Sequence, residues 1–398
     1  MGLAPGGGCH TYCRWAARSP TGPRARVPRT RYRGETLERI NRTESGCTVA
    51  LPTDYQLVEG FRYRCLPSCG LCCYTTPAVA PGERDRLIRL DPAAPLLETT
   101  VGWAKIASRP EGGACYFLHE ERCGCHAARP ATCGEFPLTV HVAERVQVSI
   151  VLTCPGVDLT ALMGRGTGVP LGPVSSDFMS EMKFVEREVE QAQATGDLRW
   201  ASQRRRSVER RLGRVGIWQS EEEVRARLRG TLTDMVPEEL LHEEPPPEEE
   251  PLESLPMFHD PALGRVAWRP HTGGVEFLSL RESGGIAQHL GVFASPTRSP
   301  GLDAPSRSLL LGYLRYVLER DATIGAAYDH LLEADPALPE EVVAEDLTLI
   351  ANQVVRLAVL RRALTSDRRG ELTVKDLENG IRATDMDILD RPTVGLRL

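Results

Sequence analysis

Nine of the chain's twelve cysteines fall within ninety residues, and four of those within nine positions. The dense run is Cys65-Leu66-Pro67-Ser68-Cys69-Gly70-Leu71-Cys72-Cys73, followed by Cys115, Cys123, Cys125, Cys133 and Cys154. Thiolates at two- and three-residue intervals converge on one ion or cluster, because a short loop curls their sulfurs inward. Four thiolates complete one tetrahedral zinc or one 4Fe–4S cluster, so nine exceed the need of one centre and leave room for two. Cys72 and Cys73, as sequence neighbours, are expected to project apart and to serve different sites or two sides of one. Two blander readings compete. Buried thiols pack as small hydrophobes, and a disulfide framework suits an oxidising compartment. The crowding of nine cysteines argues against the first, and the adjacent Cys72-Cys73 pair against the second. His119 and His141 read as solvated or core histidines, and Cys125-His126 as either an added ligand pair or a core replacement. Cys9, Cys13 and Cys47 stand outside the cluster.

The rest of the composition narrows the class. Hydrophobic residues at 41% and charged residues at 26% are ordinary for a soluble globular chain. A net charge of -6 argues against a dedicated nucleic-acid binder. The arginine-rich stretch Arg204 to Arg214 reads as a solvated helix face, since Trp200 is its one neighbouring stacking residue. No run of eighteen apolar residues suggests a membrane span. The arginine- and proline-rich start lacks the apolar core of a secretory signal, so the expected compartment is the cytoplasm. Gly164-Arg165-Gly166-Thr167-Gly168 lacks the Lys-Ser/Thr of a phosphate-binding loop and reads as a plain loop.

Elements must position the cysteines. Residues 1–47 read as a disordered basic segment, and 48–175 as the cysteine domain. Within it, Pro81-Gly82-Glu83-Arg84 opens a short helix that Asp91-Pro92 stops. Leu138 to Val142 and Val146 to Leu152 flank three turn residues and alternate like a β-hairpin, whose second strand leads into Cys154. Residues 176–237 read as helical, with a capping box at Ser220 and Glu223. Residues 238–256, rich in Glu and Pro, read as an extended linker between independently folded parts. Residues 257–398 read as a mostly helical C-terminal domain. Two short strands, 264–268 and 274–280, precede helices near 304–333 and 339–365, and a weaker helix follows.

Two families share parts of the cysteine pattern. Cys65-x3-Cys69-x2-Cys72 has the spacing of the radical-SAM signature, although Leu71 stands where that family usually has an aromatic residue. The run Cys69-Gly70-Leu71-Cys72-Cys73 is followed by Cys115-Tyr116-Phe117-Leu118, Cys123 and Arg129-Pro130-Ala131-Thr132-Cys133-Gly134-Glu135-Phe136-Pro137. As a set these resemble the YkgJ-type cysteine-cluster family of zinc- or iron-chelating domains, over residues 60–160. A related cluster occurs in flagellin lysine-N-methylases, and Cys154-Pro155-Gly156 is similar to their last cysteine. The resemblance implies Cys65, Cys69, Cys72, Cys73, Cys115, Cys123 and Cys133 as ligands. Cys125 departs from the family pattern.

The sequence thus points to an α+β protein that holds an iron–sulfur cluster (4Fe–4S) or zinc. Its nine candidate ligands are Cys65, Cys69, Cys72, Cys73, Cys115, Cys123, Cys125, Cys133 and Cys154. Pro130 would fix the approach to Cys133, Phe136-Pro137 would seal the site, and Arg129 would offset thiolate charge. The alternatives are a lysine-methylase-like enzyme using S-adenosylmethionine, a radical-SAM-type enzyme, and a structural zinc module that presents helices to a protein partner or protein substrate. No membrane or nucleic-acid partner is expected, and the oligomeric state is open.

Overall fold

The structure, a computed structural model, describes residues 53–164, 210–240, 255–324, 338–364, 370–388 and 393–394, apart from short interruptions. The N-terminal segment with Cys9, Cys13 and Cys47, residues 176–209 of the stretch read from the sequence as helical, and the acidic segment 241–254 lie outside the described residues. The described residues mix small antiparallel sheets with helices, an α+β arrangement.

The hairpin forms where the alternating pattern places it. Leu138–Val142 and Val146–Ile150 pair antiparallel, with Leu138 opposite Ile150. Short parallel strands, Thr53–Asp54 and Thr393–Val394, flank it. Helix Pro81–Leu90 has the expected bounds, with proline in its first turn where the missing N–H costs nothing. The capping box at Ser220 and Glu223 opens helix Glu221–Thr231, and both reciprocal hydrogen bonds are present. Helices Ala304–Glu319, Pro339–Leu364 and Val374–Ile388 form the C-terminal layer.

The region after 256 holds more strand than its sequence suggests. Met257–Asp260, Gly264–His271, Gly274–Leu280 and Ile286–Phe293 form a four-stranded antiparallel meander. Residue 273, a glycine, turns the central hairpin at a φ of 88°. The last strand shows no clean alternation of burial, and its pairing with the third contains two register shifts. Such bulges erase the two-residue period by which a strand is read.

The two sides of the acidic segment do not build separate cores. Leu57, Ile150, Leu152 and Leu159 pack in one core with Val224 and Leu228 and with Tyr313, Tyr316, Leu347 and Ile381. A second core joins Leu71, Leu87, Ile106 and Leu118 to Met257, Ala267, Leu278 and Leu280 of the meander. The opposite face of the meander, through Phe258, Val266, Trp268 and Phe277, packs on Leu357, Leu360 and Ala383. The expected division into independently folded parts is corrected accordingly. Each strand puts alternate residues on two faces, and both faces here are apolar, so the meander is a middle layer and needs a cover on each side.

Candidate metal centre

Each cysteine arrives on a short, locally determined piece of backbone. The turn Leu71–Tyr74 carries Cys72 and Cys73, after Gly70 at a φ of 59°. The Cys73 carbonyl accepts from the Cys115 amide at 2.6 Å, which ties the two segments together. Leu118–His119 and Arg122–Cys123 form a tight hairpin, and the turn after it holds Cys125 and His126. Helix Ala131–Glu135 carries Cys133.

Helix Pro81–Leu90 positions that last piece. Glu83 accepts from the Ala131 amide at 2.8 Å at the start of the Cys133 helix. Arg86 donates to the carbonyls of Ala128 and Arg129, at 3.2 and 2.9 Å. Cys154 is approached from two sides. Residues 62–64 pair with 156–158, through Arg64 N to Gly156 O at 2.9 Å and Asp158 N to Arg62 O at 3.0 Å. A Cβ at 156 would collide with the Arg64 carbonyl, so glycine is needed for this approach. The pairing brings Cys65, next along the chain, toward Cys154.

All nine described cysteines are reduced thiols, with Cys73, Cys115, Cys125 and Cys154 buried and Cys65 exposed. The Cys123 and Cys125 sulfurs lie 3.5 Å apart, within hydrogen-bonding reach. The Cys125 and Cys73 thiols bonded to it hold Cys123 down to about 3. Its partners Cys73 and Cys125 are pushed up by the same bonds and by burial. Cys72 is lowered, chiefly by its bond from Cys73. Burial pushes Cys69 and Cys115 up to about 11 and Cys154 up to about 12. Burial also raises Cys133, assisted by the charges of Cys72, Cys115 and Cys123.

The charge of Cys72 raises Cys69 and Cys154 on one side and Cys115 and Cys133 on the other. The charges of four arginines oppose the burial penalty: Arg109 on Cys115, Arg129 on Cys133 and Cys72, Arg265 on Cys69 and Arg382 on Cys154. Arg265 comes from the meander and stacks 5.4 Å above the Tyr74 ring. Among the described residues, no three Cys, His, Asp or Glu side chains stand close enough together to hold an ion without moving.

His126, next to Cys125, adds a charge that lowers Cys123. His119 is exposed and contacts Arg109 at 3.0 Å, and His141 is buried in the hairpin opposite Gln147. Phe136 packs against the first core. Sequence reasoning missed Tyr63, Glu83, Arg86, Arg265 and Arg382. The helix over Glu83 and Arg86 was legible, but its bonds to residues more than forty positions away were not.

The nine described free thiols, four of them buried, are a donor set of the kind that tetrahedral zinc and iron–sulfur clusters take. Residues 64–155 match the family model described as "Putative zinc- or iron-chelating domain" and labelled CxxCxxCC. The match is consistent with the resemblance of that segment to the YkgJ-type cysteine-cluster family. In this chain the first spacing is one residue longer, since Cys65 and Cys69 enclose three residues and Leu66 stands where the label has its first cysteine. No curated protein and no solved structure matches the chain. Among the described residues, no helix is long and apolar enough to cross a membrane.

Proposed function

We propose that this protein binds zinc or iron through two neighbouring four-thiolate centres. Cys73, Cys115, Cys123 and Cys133 would hold one, with Cys125 adjacent as a fifth thiol. Cys65, Cys69, Cys72 and Cys154 would hold the other. The observation that supports this reading is eight buried or half-buried free thiols, with Cys65 beside them, brought together from 65–73, 115–133 and 154 by the Cys115 amide bond to Cys73 and the pairing of 62–64 with 156–158. The donor set fits such a group, because soft thiolates are the ligands of tetrahedral zinc and of 4Fe–4S clusters. Binding by these thiols would displace their protons, that shared by Cys123 and Cys125 included.

Charge supports the same count. Four thiolates around a divalent ion leave about two negative charges. Two such centres leave about four, and the charges of four arginines act on cysteines of both. Chain residues do the remaining work. Glu83 and Arg86 fix the backbone before Cys133, Gly156 lets the Cys65 and Cys154 segments approach, and the meander covers the site. Methyl transfer from S-adenosylmethionine and a protein partner or substrate rest on the sequence resemblance alone.

The test is metal and acid-labile sulfide analysis of anaerobically purified full-length chain. Two centres per chain are expected for the wild type. Cys115→Ser and Cys69→Ser are each expected to lose one centre and keep the other. Wild type without zinc or iron after reconstitution would refute metal binding. Loss of both centres in each variant would refute the division into two.

A further inference from the structure

The backbone that delivers Cys154 is held mainly by the C-terminal helix Val374–Ile388, more than two hundred residues away. Arg382, buried in that helix, donates to the carbonyls of Leu152 at 3.0 Å, of Cys154 itself, and of Val157 at 2.8 Å. One turn on, Asp385 accepts from the Leu152 amide at 2.6 Å. Asp385 is fully buried and pairs with Arg320 at 2.8 Å, and Arg320 donates to the Ile150 carbonyl at 2.9 Å. From residue 150 to 157, five backbone polar groups are thereby satisfied by three charged side chains of the C-terminal layer. Interior backbone groups need partners, and such charge-assisted bonds are short and directional. A thiol on backbone held this way has little freedom to shift.

We infer that Arg382 and Asp385 are positioning residues for Cys154, and that the C-terminal helix and the thiolate centre containing Cys154 stabilise each other. The inference rests on the two-centre reading above. Its physical basis is linkage. An ion bound by Cys154 favours the loop geometry that Arg382 also favours, so ion binding and helix docking support one another. The acidic segment between them therefore does not isolate the C-terminal helix from the metal chemistry.

The test uses full-length chain loaded anaerobically with Co2+, whose thiolate charge-transfer absorption reports how many sulfurs bind. Arg382→Met is expected to release cobalt from one centre about 10–100-fold faster to a chelator, the range for lost supporting contacts. Its charge-transfer intensity is expected to fall to that of Cys154→Ser, and Arg382→Lys to recover part of it. Arg361→Met is the control. It removes another buried arginine of the helical layer, paired with Asp260 of the meander at 2.6 Å. That variant is expected to melt earlier and keep the wild-type spectrum and release rate. Wild-type behaviour in Arg382→Met would overturn the inference and leave metal binding standing, as would equal spectral loss in Arg361→Met. Wild type that takes up no Co2+, zinc or iron overturns both. Should Arg382→Met fail to fold, amide exchange in the wild type decides. Amides of residues 374–388 are expected to exchange more slowly with cobalt bound than after chelation, and equal rates would overturn the inference.

Discussion

At the scale of single residues, the thiols are set less by their own chemistry than by what holds their backbone. Cys133 illustrates this. Its spacing in Arg-Pro-x-x-Cys was legible as a motif, whereas its support from Glu83 at the start of its helix was not, because the bond spans forty-eight residues. A carboxylate at a helix N-terminus satisfies an otherwise orphaned amide and interacts favourably with the helix dipole. Glu83→Ala is expected to destabilise the chain by about 1 kcal/mol and to weaken metal retention at the centre containing Cys133, leaving the other centre intact. Thermal melting and metal content after mild chelation check both. Unchanged retention would show that the cap does not position the cysteine. The sequence likewise contained all nine cysteines, but the proposed division between two centres was not legible, since it depends on contacts between segments far apart in the chain.

At the scale of elements, legibility followed local determinism. The helix from Pro81, the hairpin before Cys154 and the capping box at Ser220 are each encoded within a few residues, and each formed where those residues placed it. The outer strands of the meander were not readable, because Met257–Asp260 is short and Ile286–Phe293 is paired through bulges. Helix Pro339–Leu364 makes a further prediction. Burial pushes the carboxyl of its Asp346 up to about 7, and the charge of Glu345 adds to this. An unfolded aspartate loses its proton near pH 4. The folded chain therefore holds a proton at Asp346 that the unfolded chain gives up, and stability from this group falls as pH rises from about 4 to about 7. Asp346→Asn is expected to be more stable than wild type at pH 8, with the difference vanishing near pH 4. Denaturant melts at the two pH values measure this, and an equal difference at both would contradict it.

At the scale of the whole molecule, the acidic segment misled because composition reports what a segment can bury, not what its flanks do. Glutamates and prolines at 241–254 argue from composition that these residues add little core. They say nothing about Ile150 packing beside Tyr313 and Tyr316, or Leu118 sharing a core with Leu278. A fragment of residues 48–175 would lose these covers and the bonds from Arg320, Arg382 and Asp385. It is expected to expose apolar surface, bind a hydrophobic dye and retain less metal than the full chain. A fragment that melts cooperatively and keeps the full complement of metal would restore the view of a self-sufficient cysteine domain.

The central claim is that interior thiolates bind metal, and X-ray absorption at the metal edge tests it most directly. Full-length chain purified anaerobically should show zinc or iron surrounded by sulfur at about 2.3 Å. Replacing Cys123 with serine should reduce the sulfur shell. A shell of oxygen and nitrogen alone, or a chain that holds neither metal while the nine clustered thiols all remain reactive, would contradict the account.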